Sequence, residues 1–188
     1  MNILVVTNLR SGFGDSGLYD YVRELGMHRG EVTMRFWNEG TDLAHLLRDA
    51  RDYARVVAAG GDGTVSAVAY ALRDSGIPLL PYPAGTANLL ARNLGITVDP
   101  TQLALATIAG RTVTIDLGEL TLPASGGRAA RTYGFSIAAG AGFDARIMEA
   151  AQPLKATLGE GAYIIGAIQN LAPTVSKFTL TLDGRIVE

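Results

Sequence analysis

Residues 55–72 read RVVAAGGDGTVSAVAYAL: an apolar run, two glycines, one acidic residue, a third glycine, and a threonine opening an amphipathic segment. The run at 55–59 predicts a buried strand, and the segment at 64–75, stopped by Gly76, predicts a helix. Between them Gly60, Gly61 and Gly63 let the backbone turn sharply and approach a ligand without a Cβ in the way, while the helix start offers free N–H groups to an anion. No lysine follows the last glycine and the spacing is not G-x-G-x-x-G, so neither the Walker A nor the dinucleotide fingerprint applies. A plain reading stands beside this one: a tight strand-to-helix turn in which Asp62 lies close to the helix start and is stabilised by its dipole. Asp62 is nonetheless an odd neighbour for phosphate. It makes sense where Mg²⁺ intervenes, directly or through its water shell, or where the carboxylate takes a proton from an attacking hydroxyl, and both roles belong to phosphoryl transfer.

Upstream and downstream the same alternation continues. Residues 2–7 and 31–37 predict strands, 18–27 a helix with Leu18, Val22 and Leu25 on one face, and Thr41 caps a helix that turns Leu43, Leu46, Leu47 and Ala50 inward. After 77–81, a short strand, come a helix at 86–93 and another opened by the cap-and-proline pair Asp99-Pro100 and closed by Gly110. Strands and helices in alternation imply a parallel sheet covered on both faces, with ligands at the carboxyl ends of its strands. The loops at 8–17, 60–63 and 82–86 then share one edge.

Near Arg111 the pattern changes. Residues 111–122 and 130–139 read as two longer strands joined by PASGGR, helices follow at 144–151 and 160–171, and the chain closes on KFTLTL, the turn Asp183-Gly184, and RIVE. The expected fold class is therefore α/β: a Rossmann-like parallel-sheet nucleotide domain at 1–111, followed at 112–188 by the first part of a β-rich domain. The last hairpin, with four residues after its turn, leads to the expectation of a longer natural protein.

Composition narrows the classes. The 188 residues are 48% hydrophobic with a net charge of −2, which supports a packed core and gives no general attraction to nucleic acid. There is no cysteine, so thiolate chemistry and disulfides are excluded, and two separated histidines, His28 and His45, do not suggest zinc. No apolar stretch reaches the roughly 18 residues of a membrane span.

Two further loops carry the argument outward. Pro83-Ala84-Gly85-Thr86-Ala87-Asn88 sets a glycine and a hydroxyl at a helix start, where Thr86 also reads simply as an N-cap. Asn8-Leu9-Arg10-Ser11-Gly12-Phe13-Gly14 leaves the first strand with small polar residues suited to phosphate or ribose, or to a flexible turn. Together, Asn8-x-x-Ser11-Gly12, Gly60-Gly61-Asp62-Gly63-Thr64 and PAGTANLLARNLGI at 83–96 resemble the diacylglycerol kinase catalytic family, which includes bacterial lipid kinases and sphingosine kinases. IDLGEL at 115–120, SIAAGAGFDARI at 136–147, Lys155 and Gly159-x-x-Ala162-Tyr163 extend the likeness. Leu9, Phe13 and Leu89 depart from the family's usual Pro, basic residue and Asp, and the family's later acidic segment has no counterpart before Glu188.

The resemblance implies ATP as phosphoryl donor, Mg²⁺ as the required ion and the hydroxyl of a lipid such as diacylglycerol as acceptor. By motif position Asn8, Ser11, Gly12, Gly60, Gly61, Asp62, Gly63, Thr64 and Thr86 would bind nucleotide, Asp62 would serve catalysis or the metal, and Asn88 and Asp144 would face the lipid. Further metal ligands would lie beyond Glu188, which would leave the present chain inactive by itself. It implies a cytoplasmic protein peripheral to the inner face of the membrane, with no nucleic-acid partner; the oligomeric state is open, a homodimer being one arrangement. The alternatives are an NAD kinase-like enzyme, which shares the GGDG loop, and a nucleotide-binding regulatory module without transfer.

Overall fold

The computed structural model describes residues 1–8, 16–28, 30–38, 40–140, 142–151, 179–182 and 184–187. The chain divides into two compact units, Met1–Ala138 and Ala139–Glu188.

In the first unit β1 (Asn2–Asn8), β2 (Glu31–Trp37), β3 (Arg55–Gly60) and β4 (Leu79–Pro83) form a parallel sheet in the order β2-β1-β3-β4. Strict alternation along β1 explains why both faces are covered. Ile3 and Val5 pack with Leu18, Tyr21 and Leu25 of α1 (Ser16–Met27) and Leu103 of α5 (Pro100–Ala109). Leu4 and Val6 pack on the other side with Val65 and Val68 of α3 (Asp62–Ala71) and Leu90 of α4 (Leu89–Asn93). Each fully buried side chain of this size contributes about 1.5–3 kcal/mol. Tyr21 is completely buried, and its hydroxyl shares a 2.7 Å hydrogen bond with Thr107 Oγ1 across α1 and α5.

The predicted cap of α5 is present: Asp99 accepts from the Gln102 N–H at 2.8 Å, with Pro100 at the first helical position. Asp99→Ala is expected to cost about 1 kcal/mol, seen as a fall of about 2–4 °C in the melting temperature.

The helix expected after Thr41 is a single turn, α2 (Leu43–Leu46), followed by a 3₁₀ turn at Ala50–Asp52. Its cap is Asp42, which accepts from Ala44 N–H at 3.0 Å; the Thr41 carbonyl instead accepts from Trp37 Nε1. Arg35 of β2 stops the helix. Its guanidinium donates to the Leu46 carbonyl, the acceptor that a continuing helix needs, and grips Asp49 at 2.5 and 2.7 Å. The hydrogen bonds from Arg35 pull the Asp49 carboxyl down to about 2. Because the folded value lies below the unfolded value near 3.9, this contribution is complete above about pH 4 and disappears as pH falls towards 2. Wild type and Asp49→Asn should therefore differ in melting temperature at pH 7 and converge near pH 2.

Beyond α5 the first unit adds an antiparallel hairpin, β5 (Gly118–Leu122) and β6 (Arg131–Phe135). Gly126 and Gly127, both at positive φ, turn the chain between Ser125 and Arg128. The strands are shorter than the sequence suggests, because 111–117 find no ladder partner among the described residues. The hairpin meets α3 through Ser66 and Ser136, whose hydroxyls lie 2.7 Å apart, and through a hydrogen bond from Tyr70 to Glu119.

The second unit contains α6 (Phe143–Ala151) and the expected terminal hairpin of β7 (Leu180–Leu182) and β8 (Arg185–Val187), with Gly184 at φ +78. The helix predicted at 160–171 lies outside the described residues.

Candidate active site

The sheet order reverses direction between β1 and β3, the position at which open α/β sheets open a crevice for ligands. Asn8 ends β1 and Gly60 ends β3, so two of the three predicted loops begin on either side of this point. Asn8 Nδ2 donates to Thr64 Oγ1 at 3.0 Å and joins them.

Gly60 is required by that arrangement: a Cβ there would stand 2.6 Å from the Thr64 Cβ. Thr64 is accordingly only 5% exposed, its methyl and hydroxyl folded over Gly60. Gly61 is the N-cap of α3 and has no side chain with which to cap it. The first-turn N–H groups have no acceptor within the helix, and the dipole adds partial positive charge there. Asp62 is the first residue of α3 itself, two residues earlier than the sequence reading placed the helix start.

The 84–88 segment lies directly against this turn. A Cβ on Gly85 would fall 2.2 Å from the Gly61 Cα, so the two backbones are in contact, and Ala84 N–H donates to the Gly60 carbonyl at 3.3 Å. Thr86 is exposed and does not cap a helix, since α4 begins three residues later behind Asn88. Asn88 is left-handed, at φ 49 and ψ 46, and both ends of its amide are engaged with Gly85: Oδ1 accepts from the Gly85 N–H and Nδ2 donates to the Gly85 carbonyl, each at 2.8 Å. Leu90 N–H, in the first turn of α4, donates to Asp62 Oδ1 at 3.1 Å. Gly60, Asp62, Val65, Pro83, Asn88 and Ala91 line a small crevice at this junction.

The structure thus brings together Asn8, Gly60, Gly61, Asp62, Gly63, Thr64, Thr86 and Asn88 within two adjoining loops and one strand end. Ser11 and Gly12 lie outside the described residues. Asp144 belongs to α6 of the second unit. The contact from Asp62 to α4 had no signal in the sequence, because its partner is a backbone N–H 28 positions away. The left-handed Asn88 had a faint one, since Asn tolerates that conformation better than most residues.

Among the described residues no group of three or more His, Asp or Glu side chains could hold a metal ion. Mg²⁺ asks for less than such a cage: one or two carboxylates beside phosphate oxygens and retained waters. Asp62 fits that demand with its second oxygen, which takes part in no hydrogen bond among the described residues.

A parallel sheet with two glycine turns meeting beside its switch point defines an α/β domain of Rossmann-like topology. The diacylglycerol kinase catalytic domain model matches residues 2–120, and the chain belongs to that family. Similar curated proteins include lipid kinase YegS of Escherichia coli K12, 34% identical over 72% of this chain and 44% of its own length. A diacylglycerol kinase of Mycobacterium tuberculosis is 31% identical over 97% of this chain and 59% of its own, and an uncharacterized Synechocystis protein is 42% identical over 67% and 27%. The chain thus spans between about a quarter and three fifths of the length of these relatives.

Proposed function

We propose that this protein is an ATP- and Mg²⁺-dependent lipid kinase that passes the γ-phosphate to the hydroxyl of a lipid such as diacylglycerol. The observation that carries the reading is the backbone contact of Gly61 with Gly85, which sets two glycine turns and the start of α3 around one point in a member of this family. The role of the chain is to position and to supply charge. Backbone N–H groups of the 60–64 turn hold phosphate oxygens, Asn8 steadies Thr64 at the strand edge, and Thr86 is exposed where it can reach the nucleotide. Mg²⁺, when bound, neutralises charge on the phosphates. Asp62 holds its place at the ion or takes the proton of the attacking hydroxyl.

No helix among the described residues is long and apolar enough to cross a membrane. In this proposal the lipid is met at the cytoplasmic membrane surface by peripheral attachment. The test is radiolabelled ATP with Mg²⁺, given to the protein expressed from its complete gene together with vesicles containing diacylglycerol, with sphingosine, or with NAD. Label in the lipid is the expected result, and label in NADP alone contradicts it.

A further inference from the structure

We propose that Asp62 and Asn88 are positioning residues that lock the two glycine turns into one preformed cradle, a role that deepens the nucleotide-site reading and rests on it. The position that ordinarily caps α4 is Asn88, yet its left-handed backbone turns the side chain back onto Gly85 and leaves the helix start without its own cap. Asp62 takes that duty from another helix by accepting the Leu90 N–H. The contacts close a circuit: Gly61 touches Gly85, Gly85 is held at both its N–H and its carbonyl by Asn88, Asn88 leads into Leu90, and Leu90 returns to Asp62 beside Gly61. Such a circuit fixes the spacing of the turns before a ligand arrives, so less ordering is left for binding to supply.

This role predicts an effect opposite in sign to that of a bystander carboxylate. A carboxylate beside phosphates repels them when no metal is present, so a bystander Asp62 would be expected to weaken metal-free binding, and its removal to strengthen it. If Asp62 holds the cradle together, its removal weakens that binding instead.

The probe is ATP in excess EDTA, titrated into the full chain by calorimetry, with amide hydrogen exchange followed at residues 85–90. Asp62→Ala is expected to lose about tenfold in affinity and to speed exchange at Gly85 and Leu90 about fivefold. Asp62→Asn keeps an acceptor oxygen for Leu90 and should bind metal-free ATP at least as tightly as wild type. Asn88→Gly retains the left-handed backbone but loses both bonds to Gly85; it should show the same faster exchange at Gly85, and it decides the matter if Asp62→Ala does not fold. An Asp62→Ala chain that binds metal-free ATP as well as wild type, with exchange unchanged, overturns the lock. If wild type binds ATP neither in EDTA nor with Mg²⁺, the nucleotide reading fails; in that case, or if it binds only with Mg²⁺, the exchange of Asp62→Ala and Asn88→Gly alone decides the lock.

Discussion

Gly85→Ala is expected to lower the melting temperature of the chain by about 6–12 °C and to remove ATP binding. The added Cβ would stand 2.2 Å from the Gly61 Cα and 2.9 Å from both the Gly61 nitrogen and Asn88 Oδ1. Two of these three are backbone atoms of a turn that β3 and α3 hold on either side, so neither can swing aside as a flexible side chain would. Overpacking of this kind costs about 3 kcal/mol at the upper end of its usual range, and each kcal/mol moves the midpoint by about 2–4 °C in a chain of this size. Gly63→Ala is the matched control. Gly63 is exposed in the first turn of α3 and has no atom within 4 Å of a built Cβ, so its stability should stay within about 1 kcal/mol of wild type. Thermal unfolding by circular dichroism, with ATP titrations of both variants, measures the contrast. Equal midpoints for the two variants would show that the turns are not in contact.

Asp62→Asn should reduce Mg·ATP-dependent transfer by the complete protein at least about 100-fold, the lower range of what a positioned acid or base contributes. The fold should survive, with a midpoint change below about 3 °C, because an amide oxygen can still accept the Leu90 N–H and only the charge is lost. This substitution separates the two duties proposed for one side chain: a charge for phosphoryl transfer and an oxygen that accepts the Leu90 N–H. Steady-state transfer over a Mg²⁺ series, together with thermal unfolding, reads both. Full activity with unchanged Mg²⁺ dependence would remove Asp62 from the chemistry.

Local patterns in the chain carried the sheet and failed where one element acts on another. β1 and β3 were legible because their side chains alternate between two buried faces, and α5 because Asp99-Pro100 is a complete local signal. The short α2 was not legible. Leucine spacing over 43–50 suits a longer helix, and what ends it is Arg35 on a different strand, taking the Leu46 carbonyl. α3 likewise stops four residues early: Leu72 caps it and Asp74 adopts φ 59, a left-handed turn that Asp allows and that comes before Gly76. In the site, the residue types and their shared edge could be read from glycine spacing. That Gly61 would touch Gly85, that Thr64 would accept from Asn8, and that Asp62 would cap α4 depends on how β1, β3 and β4 lie side by side. Spacing along the chain does not encode that distance.

In the proposed function the turns at 60–64 and 84–88 form one phosphate-binding site. Its most direct test follows the backbone amides of the ¹⁵N-labelled chain during titration with Mg·ATP. Saturable shifts are expected at Gly61, Gly63, Thr64 and Gly85 with a single dissociation constant, all lost in Gly85→Ala. Shifts confined to one of the two turns, or to neither, would contradict it.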